Sequence, residues 1–467
     1  MKSAVKIAFL SALFAMCCIS GNARAYEYQG IDIRGFISQG YLQSTDNNFF
    51  AETKDGTSQF NEAGINFSAE VSDRLRLGVQ FLSRDLGTIG NNEVILDWAI
   101  ADYHFRDWLG LTVGNMKFVH GLYNETRDLD MVRTFILMPQ SVYIEAWREA
   151  ISSIQGAGLY GDLGLSDMGS LSYDLQYGTV NLDSDKGAAR LLEDQWPFKE
   201  MGLLVDVDRI NVDYTYAGSI RWITNLEGLI LGCSTWGYQF EADATTLLDT
   251  ARVPGELRQA LAAGDAAFAG LIGSLDDYGT RIILSPSEFG VEAVSYTASM
   301  EFMWRNLVFA AEYMRTTYNI EFRNSQLFNT NTLEPVLSQS GVAVQDGTIK
   351  VDRFSSAGYY TSLAYRFTPW FELGTYYSVY YANEDDKDGK KRIAKGLDAQ
   401  EHRGWLKDIA LTTRFDVNEN WIIKLEAHKM DGTAILLGAD NPVPEDPAED
   451  RYEEDWYLFA AKVTFHF

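Results

Sequence analysis

The chain has 467 residues, of which 13% are aromatic, and 65 acidic against 39 basic side chains give a formal net charge of −26. This excess of acid excludes a nucleic-acid partner, because the phosphate backbone would be repelled. Beyond the first 25 residues, the longest stretch without a charged side chain is the 13 residues from Gly228 to Phe240, which is too short to cross a bilayer as a helix.

The first 25 residues have the features of an export signal. Two lysines precede the apolar run Ile7–Ile19, and Ala23, Arg24 and Ala25 form a small-x-small cleavage site. We expect this peptide to be removed and the remaining residues to form one domain, 26–467. The alternative is a buried N-terminal helix. After cleavage Cys233 is the one cysteine left, so the exported protein has no internal disulfide.

Alternation of apolar and polar residues is the main signal in the rest of the chain. Ala63, Ile65 and Phe67 are apolar, whereas Glu62 and Asn66 beside them are polar. This period of two predicts a β-strand with one face in water. The pattern resumes two residues after the strand ends, which predicts a hairpin with a tight turn.

The same unit of strand, long polar loop, strand and tight turn recurs to the last residue. We predict tight turns at 72–73, 106–107, 165–168, 225–227, 305–306, 368–369 and 418–420. We predict long loops at about 44–59, 85–92, 119–153, 179–210, 242–289, 322–354, 383–404 and 431–455. The strand centres fall near residues 36, 65, 79, 99, 113, 159, 173, 217, 234, 297, 313, 361, 376, 410, 425 and 461.

This arrangement predicts an all-β fold, a transmembrane antiparallel β-barrel of about 16 strands. Residues 201–207 could be an extra strand, which would allow eighteen, but we merge them with the eighth strand. Leucines at near-helical spacing predict a short helical insertion over 246–273. The strand faces predict four charged residues in the lumen from the later strands: Arg366, Arg414, Lys424 and Glu426.

These features resemble the Gram-negative outer-membrane porins, a superfamily of sixteen-stranded barrels. The resemblance rests on the signal, the alternating final strand and the terminal Phe467, and the segment from Gly114 to Tyr143 is similar to a stretch in a poorly characterised proteobacterial porin-like group. It implies that Phe467 and Phe465 form a signal for the barrel-assembly machinery. It also implies a homotrimer surrounded by outer-membrane lipid and lipopolysaccharide. The acidic constriction motif of the general porins, Pro-Glu-Phe-Gly-Gly, is absent.

By the same resemblance, the loop at 119–153, between strands 5 and 6, folds inward and constricts the pore. Opposed acids and bases in such a loop would hold an electric field across a narrow water path. Each residue could instead pin the loop to the barrel wall through an ion pair, and both interpretations stay open. The charged candidates are Glu125, Arg127, Asp128, Asp130, Arg133, Glu145, Arg148 and Glu149.

The opposite side of the constriction is predicted from early strands. Arg74, Arg76 and Arg84 on the third strand, with Glu62 and Glu70 on the second, are candidates for the pore wall. The alternative is that these charges neutralise one another across a single hairpin.

The sequence contains no catalytic constellation. Its five histidines are scattered without metal-ligand spacing, and the hydrolase and nucleotide-binding motifs are absent. We therefore expect no enzyme activity, no cofactor and no metal. The favoured function is an outer-membrane porin, a passive diffusion channel for small hydrophilic solutes and ions, filtered by size and by the charges of the loop at 119–153. The alternatives are a non-conducting barrel that acts as an adhesin or structural anchor, and a substrate-specific channel.

Overall fold

A computed structural model describes most of the chain. The described residues are 26–87, 89–194, 203–249, 281–323, 344–345, 348–394, 398, 400–441 and 451–467. The predicted export signal lies outside them, as does most of the predicted helical insertion.

The described strands form one closed antiparallel β-barrel. Its sheet contains eighteen strands, of which two are short extensions, Tyr26–Tyr28 and Val344–Gln345, so sixteen strands build the wall. Each wall strand pairs with its neighbours in sequence, and the last pairs with the first. They are β1 Ile31–Ser44, β2 Asn61–Ser72, β3 Leu75–Leu86, β4 Ile89–Arg106, β5 Leu109–Lys117, β6 Ser153–Gly164, β7 Ser170–Thr179, β8 Leu203–Ile223, β9 Leu229–Asp249, β10 Arg281–Trp304, β11 Leu307–Arg323, β12 Thr348–Thr368, β13 Phe371–Tyr381, β14 Trp405–Asp416, β15 Trp421–Gly432 and β16 Asp455–His466.

The two α-helices of the described residues are short. They are α1, Gly187–Asp194, between β7 and β8, and α2, Lys390–Ala394, between β13 and β14. No helix in the described ranges is long and apolar enough to cross a membrane.

The predicted strand order is confirmed. All sixteen predicted centres lie within wall strands, and the seven tight turns separate strands where predicted. The alternative of eighteen wall strands is wrong, because the doubtful segment at 201–207 contributes the first residues of β8.

Several predicted loop boundaries are wrong because strands extend into the expected loops; β8 and β12 begin at Leu203 and Thr348, inside the loops expected at 179–210 and 322–354. The expected loop at 85–92 is only a turn, because β3 runs to Leu86 and β4 begins at Ile89. β9 and β10 extend far into the expected loop at 242–289, so Leu247 and Leu248 belong to β9 and not to a helix. About ten residues suffice to cross a membrane as a strand. In the upper part of β9 the charged Glu241 and Asp243 point outward and alternate with the small, buried Ala242 and Ala244, so the sequence looks like a polar loop.

The two faces of the wall differ as the alternation predicts. On β14 to β16 the outward side chains are apolar and open, with Ile409 52%, Leu425 46% and Phe459 49% exposed. The inward Lys424 and Lys462 are 0% and 2% exposed. The barrel therefore has an apolar exterior and a lumen that buries charge.

The chain terminus completes the barrel closure. The backbone N–H of Phe467 donates to the Gly35 carbonyl at 3.0 Å, and the Gly35 N–H donates to the Phe467 carbonyl at 3.1 Å. The Phe467 ring also lies 6.3 Å from the ring of Phe465. The last residue is thus bonded to β1 beyond the final strand.

We predict that deleting Phe467 lowers the free energy of unfolding by about 1–3 kcal/mol, because two backbone hydrogen bonds are lost. Guanidinium unfolding followed by tryptophan fluorescence measures the change. Phe467→Ala is the matched control: it keeps both backbone bonds and should lose less. Equal losses for the two variants would contradict the assigned role of the backbone pair.

Candidate functional site

The segment between β5 and β6, residues 118–152, lies inside the barrel and is called the inward loop below. It has little regular structure beyond four short 3-10 turns. Its contacts reach strands around the whole circumference, which is possible only for a segment in the lumen. The wall residues that bond it include Glu62, Arg84, Gln176, Arg221, Ser234, Glu301, Glu312, Glu372, Arg414, Glu426, Lys462 and Thr464.

Charged side chains of β15 bond the backbone of the inward loop. The Glu426 carboxylate accepts the N–H groups of Ile136 and Leu137 at 2.7 and 2.8 Å. The Lys424 ammonium donates to the carbonyl groups of Asp130 and Arg133 at 2.7 and 2.8 Å. A backbone without a helix or sheet must find partners elsewhere when it is buried, and these two side chains supply them.

A carboxylate on β11 holds the opposite end of the inward loop. Glu312 accepts the N–H of Leu122 at 2.9 Å, the Tyr360 hydroxyl at 2.8 Å and the Ser299 hydroxyl at 2.5 Å. The Tyr143 hydroxyl donates to the same carboxylate. Four donors surround this buried group, so it is satisfied by hydrogen bonds.

An ion-pair cluster joins the inward loop to β2 and β3. Glu145 contacts Arg84 and Arg127 at 2.6 Å and Arg148 at 2.8 Å. Arg148 also contacts Glu62 of β2 at 2.9 Å. Burial raises the pKa of Glu145, but the guanidinium groups of Arg127, Arg148 and Arg84 outweigh it and hold the pKa well below its usual range. Glu145 is therefore a carboxylate held among three cations.

Asp130 is a second buried acid of the inward loop with several wall partners. It lies 3.0 Å from the Lys424 ammonium and 3.5 Å from that of Lys462, and it accepts the Thr464 hydroxyl at 2.7 Å. Despite burial, which raises it, the pKa of Asp130 is lowered by these cations and by Arg133. The inward loop is thus bonded to the last two strands.

Lys117, the final residue of β5, bridges two acids. Its ammonium lies 2.7 Å from Asp97 of β4 and also pairs with Asp128 of the inward loop. Asp128 pairs in turn with Arg148. Gln80 of β3 donates to Asp97 at 2.7 Å. This chain of contacts connects the wall of β3–β5 to the inward loop.

The predicted loop residues divide by exposure. Arg127, Asp128, Asp130, Glu145 and Arg148 are all less than 9% exposed and all have charged partners.

The three remaining members are more open. Glu125 pairs with Arg221 of β8 at 2.5 Å, and Arg133 donates to the Ile136 carbonyl at 3.2 Å. Glu149 accepts the backbone N–H of Asp183 at 2.9 Å. These three side chains are half-buried.

The predicted wall residues do not all meet the inward loop. Arg84 and Glu62 contact it, as described above. Glu70 and Arg76 face each other across the β2–β3 pair, and Arg76 lies 3.7 Å from Asp102. Arg74 lies in the turn after β2, where its N–H donates to the Ser72 hydroxyl.

The later lumen candidates also separate into two groups. Arg414 donates to the Arg133 carbonyl at 2.9 Å and so joins Lys424 and Glu426 in holding the inward loop. Arg366 pairs instead with Glu372 at 2.7 Å and Asp416 at 2.5 Å.

Two cavities lie on either side of the inward loop. One, of about 810 Å³, opens toward the long loops and is lined by β3–β6, the inward loop and the segment between β7 and α1. The other, of about 1220 Å³, opens toward the tight turns and is lined by β1–β7. Asp128 lines both; Asp97 lines the first and Lys117 the second. The two cavities therefore approach each other at the Asp97, Lys117 and Asp128 contacts, off the barrel axis.

Apolar loop residues fill much of the remaining lumen. Phe49 and Phe50 from the β1–β2 loop pack in one cluster with Ile136 and Leu137 of the inward loop and with Leu436 from the β15–β16 loop. A second cluster lies between the inward loop and β8–β11. Among the described residues, the two large cavities therefore lie on the side of β1–β7.

Sequence reasoning missed Asp97, Lys117 and Glu312 as site residues. Glu312 follows the alternation of β11, since Ala310 and Met314 on either side are also buried, so facing alone could have assigned it to the lumen. Asp97 lies at a register shift between β3 and β4, where the period of two is interrupted. In the described part of the chain, no group of three or more His, Cys, Asp and Glu side chains is arranged to hold a metal ion.

No protein-family model matches the chain, and no curated protein matches it. The outer-membrane channel DcaP of Acinetobacter baumannii aligns in structure with a TM-score of 0.50 and 9% identity, over 95% of this chain and 100% of that one. An OmpF of Salmonella typhi, solved with daunomycin, aligns at 0.49 and 13% identity over 95% and 100% of the two chains. The anion-selective porin of Comamonas acidovorans aligns at 0.49 and 8% identity over 94% and 99%. The chain has the fold of the outer-membrane porins.

We predict that Tyr143→Phe loosens the inward loop. The hydroxyl also accepts the N–H groups of Leu122 and Tyr123, each at 3.0 Å, so its removal should lower the free energy of unfolding by about 2 kcal/mol. Hydrogen exchange at the amides of Leu122 and Tyr123 should become faster. Tyr313→Phe is the control, because Tyr313 is 46% exposed on the outer face of β11. Unchanged exchange in Tyr143→Phe would contradict the role of this hydroxyl.

Proposed function

We propose that this chain with the porin fold is a passive diffusion channel of the bacterial outer membrane for small hydrophilic solutes and ions. The observation that carries the proposal is the pair of cavities that approach each other at Asp128. A solute would enter from the long-loop side, pass between the inward loop and the wall of β3–β5, and leave toward the tight turns. No energy source is required, because transport follows the concentration gradient.

Filtration would occur at the contacts between Asp97, Lys117 and Asp128. The Lys117 ammonium lies between the two carboxylates, so a passing ion meets both signs of charge within a few ångströms. Oxygen and nitrogen atoms placed in this way replace part of the hydration shell of an ion. Glu125 and Glu149, which have more open side chains, would add charge on the two sides of the narrow point. Size and charge would then act at the same place.

We also propose how the channel is exported, assembled and surrounded. The apolar exterior described above fits outer-membrane lipid and lipopolysaccharide, and the first 25 residues would direct export and be cleaved. Phe465 and Phe467 would serve as the signal for the barrel-assembly machinery. We further propose a homotrimer, which follows from the resemblance to porins.

Stepwise conductance in a planar bilayer tests the proposed function. We expect discrete openings after insertion of the purified protein, with a conductance that increases with salt concentration because ions carry the current. Heat-denatured protein is the control. Silence of correctly folded protein would contradict the channel and favour the adhesin or structural anchor. Deleting residues 125–149 should raise the conductance of a channel and leave an adhesin electrically silent.

We predict that Lys117→Ser increases conductance and cation preference together. The substitution shortens the side chain at the narrow point and leaves Asp97 and Asp128 without their shared cation. A unit charge 4 Å away in water is worth about 1 kcal/mol, so the ratio of cation to anion permeability should rise severalfold.

Reversal potentials in a salt gradient measure this ratio. Lys429→Ser is the matched control, because it removes the same charge from an exposed side chain of β15. A reversal potential that moves equally in both variants would show that the narrow point lies elsewhere.

A further inference from the structure

The barrel wall has a gap between β4 and β5 on the long-loop side. The pairing of these strands ends at Ala99 and Asn115. Beyond that point β4 continues for ten more residues to Ile89 and, among the described residues, pairs with β3 alone. β5 stops at Lys117, where the chain turns inward. We call this gap the side window.

The cavity on the long-loop side extends through the side window. Its lining includes Leu96 and Val113 together with the lumen residues Asp128 and Arg148. Leu96 is paired with Phe81, which is 40% exposed on the outer face, and Leu96 and Val113 are themselves 49% and 47% exposed. The lining therefore changes from charged in the lumen to apolar at the outer face.

Two acceptor oxygens in this lining have no hydrogen-bond donor. Asn115 donates through Nδ2 to the carbonyl groups of Leu96 and Asp97 at 3.1 and 3.0 Å, which fixes the orientation of its amide. Its buried Oδ1 has no partner, and neither does the buried Oε2 of Glu149. Both residues line the cavity. Two unmatched acceptors suit a ligand that supplies N–H or O–H donors.

The charges of the lining favour a cation. Its bases are already paired: Arg84 with Glu145, Arg148 with Glu62, and Lys186 with Glu93 at 3.0 Å and with Asp183. Its acids outnumber them and comprise Glu93, Asp97, Asp128, Glu149 and Asp183. Glu149 has no cation within salt-bridge distance among the described residues. A bound ammonium would therefore be its first cationic partner.

We propose that the side window binds amphipathic primary amines, with the ammonium group on Glu149 and the alkyl chain passing Leu96 and Val113 toward the outside. An ammonium has three donors and no acceptor, which matches the two unmatched oxygens. The apolar outer part of the window favours an alkyl chain over water. The amine could be a free alkylamine or the head group of a lipid, and the experiment below separates these sources.

Binding should depend on pH through Glu149. Burial raises the pKa of this carboxyl to about 7. The groups that face it are the Asp183 amide and carboxylate, Lys186 and Arg84. Below pH 7 the carboxyl is mostly neutral and binds an ammonium weakly. Affinity should therefore rise as the pH rises through 7 and fall again where the amine loses its proton.

The test is equilibrium binding of octylamine and octanol to the full chain in nanodiscs, measured by saturation-transfer NMR at pH 6 and pH 8. We expect octylamine to bind at one saturable site at pH 8, about tenfold or more tightly than octanol, because a charge-assisted hydrogen bond is lost with the alcohol. Glu149→Gln should remove both this preference and the pH dependence. Glu125→Gln, a loop acid in the other cavity, should change neither.

A second pair of variants tests the location. Val113→Trp, or Leu96→Trp if the first fails to fold, should block the window and weaken octylamine binding about tenfold or more. Val94→Trp is the control, because Val94 lies on β4 like Leu96, is 72% exposed and does not line the cavity. Heat-modifiable electrophoretic mobility confirms folding. Equal binding of the two ligands, or unchanged binding in the window variants, would overturn the proposal.

Two further binding measurements identify the molecule that occupies the side window. Nanodiscs that contain phosphatidylethanolamine should weaken octylamine binding if the lipid amine is the natural ligand, and should leave it unchanged if a free alkylamine is. Binding to monomers that disappears on oligomerisation would overturn the amine site and assign the window to a second copy of this chain. These measurements need no ion conductance, so their failure is distinguishable from failure of the channel.

Discussion

The need to satisfy a buried irregular backbone is the constraint on which the lumen depends. The inward loop has little regular structure and much of it is buried, so its backbone groups need hydrogen-bond partners. Charged side chains of the wall supply these partners. Glu312 and Glu426 accept its N–H groups, and Lys424 and Arg414 donate to its carbonyl groups. These residues come from three strands, β11 and the adjacent β14 and β15. The loop position is therefore fixed from several sides at once.

This constraint changes the meaning of the charges in the lumen. Arg127, Glu145 and Asp130 are buried among their partners, so they set the shape of the loop and contribute to the field only through fixed pairs. In the proposed channel, the residues left to meet a solute are the half-buried ones that line the cavities, Lys117, Glu125 and Glu149. Of the many charged residues in the lumen, only a few, with charges of both signs, would thus be free to contact a solute. In the proposed channel, the packing of apolar loop residues would narrow the passage as much as charge does.

The sequence predicts the barrel well and the site only in part. Alternation reports which face of a strand is polar, so the number and order of strands follow from it. The upper end of β9 escapes because its outward residues Glu241 and Asp243 are charged and the buried Ala242 between them is small. The charged loop residues are recognisable from position, but their partners are not. Glu62 and Lys462 are 400 residues apart in sequence and meet only because β16 closes on β1. Asp97 escapes for another reason, because a register shift interrupts the period beside it.

The unequal strand lengths give the molecule a tall side and a low side. β10 has 24 residues and β5 has 9, and a strand rises about 3.3 Å per residue along its axis. The paired strands β8–β12 therefore extend furthest on the long-loop side of the barrel and form a high wall there. The barrel edge is lowest at β5. A large molecule approaching from the tall side meets the high wall first. The low side, which also holds the open space of the lumen, is the natural direction of approach for whatever enters.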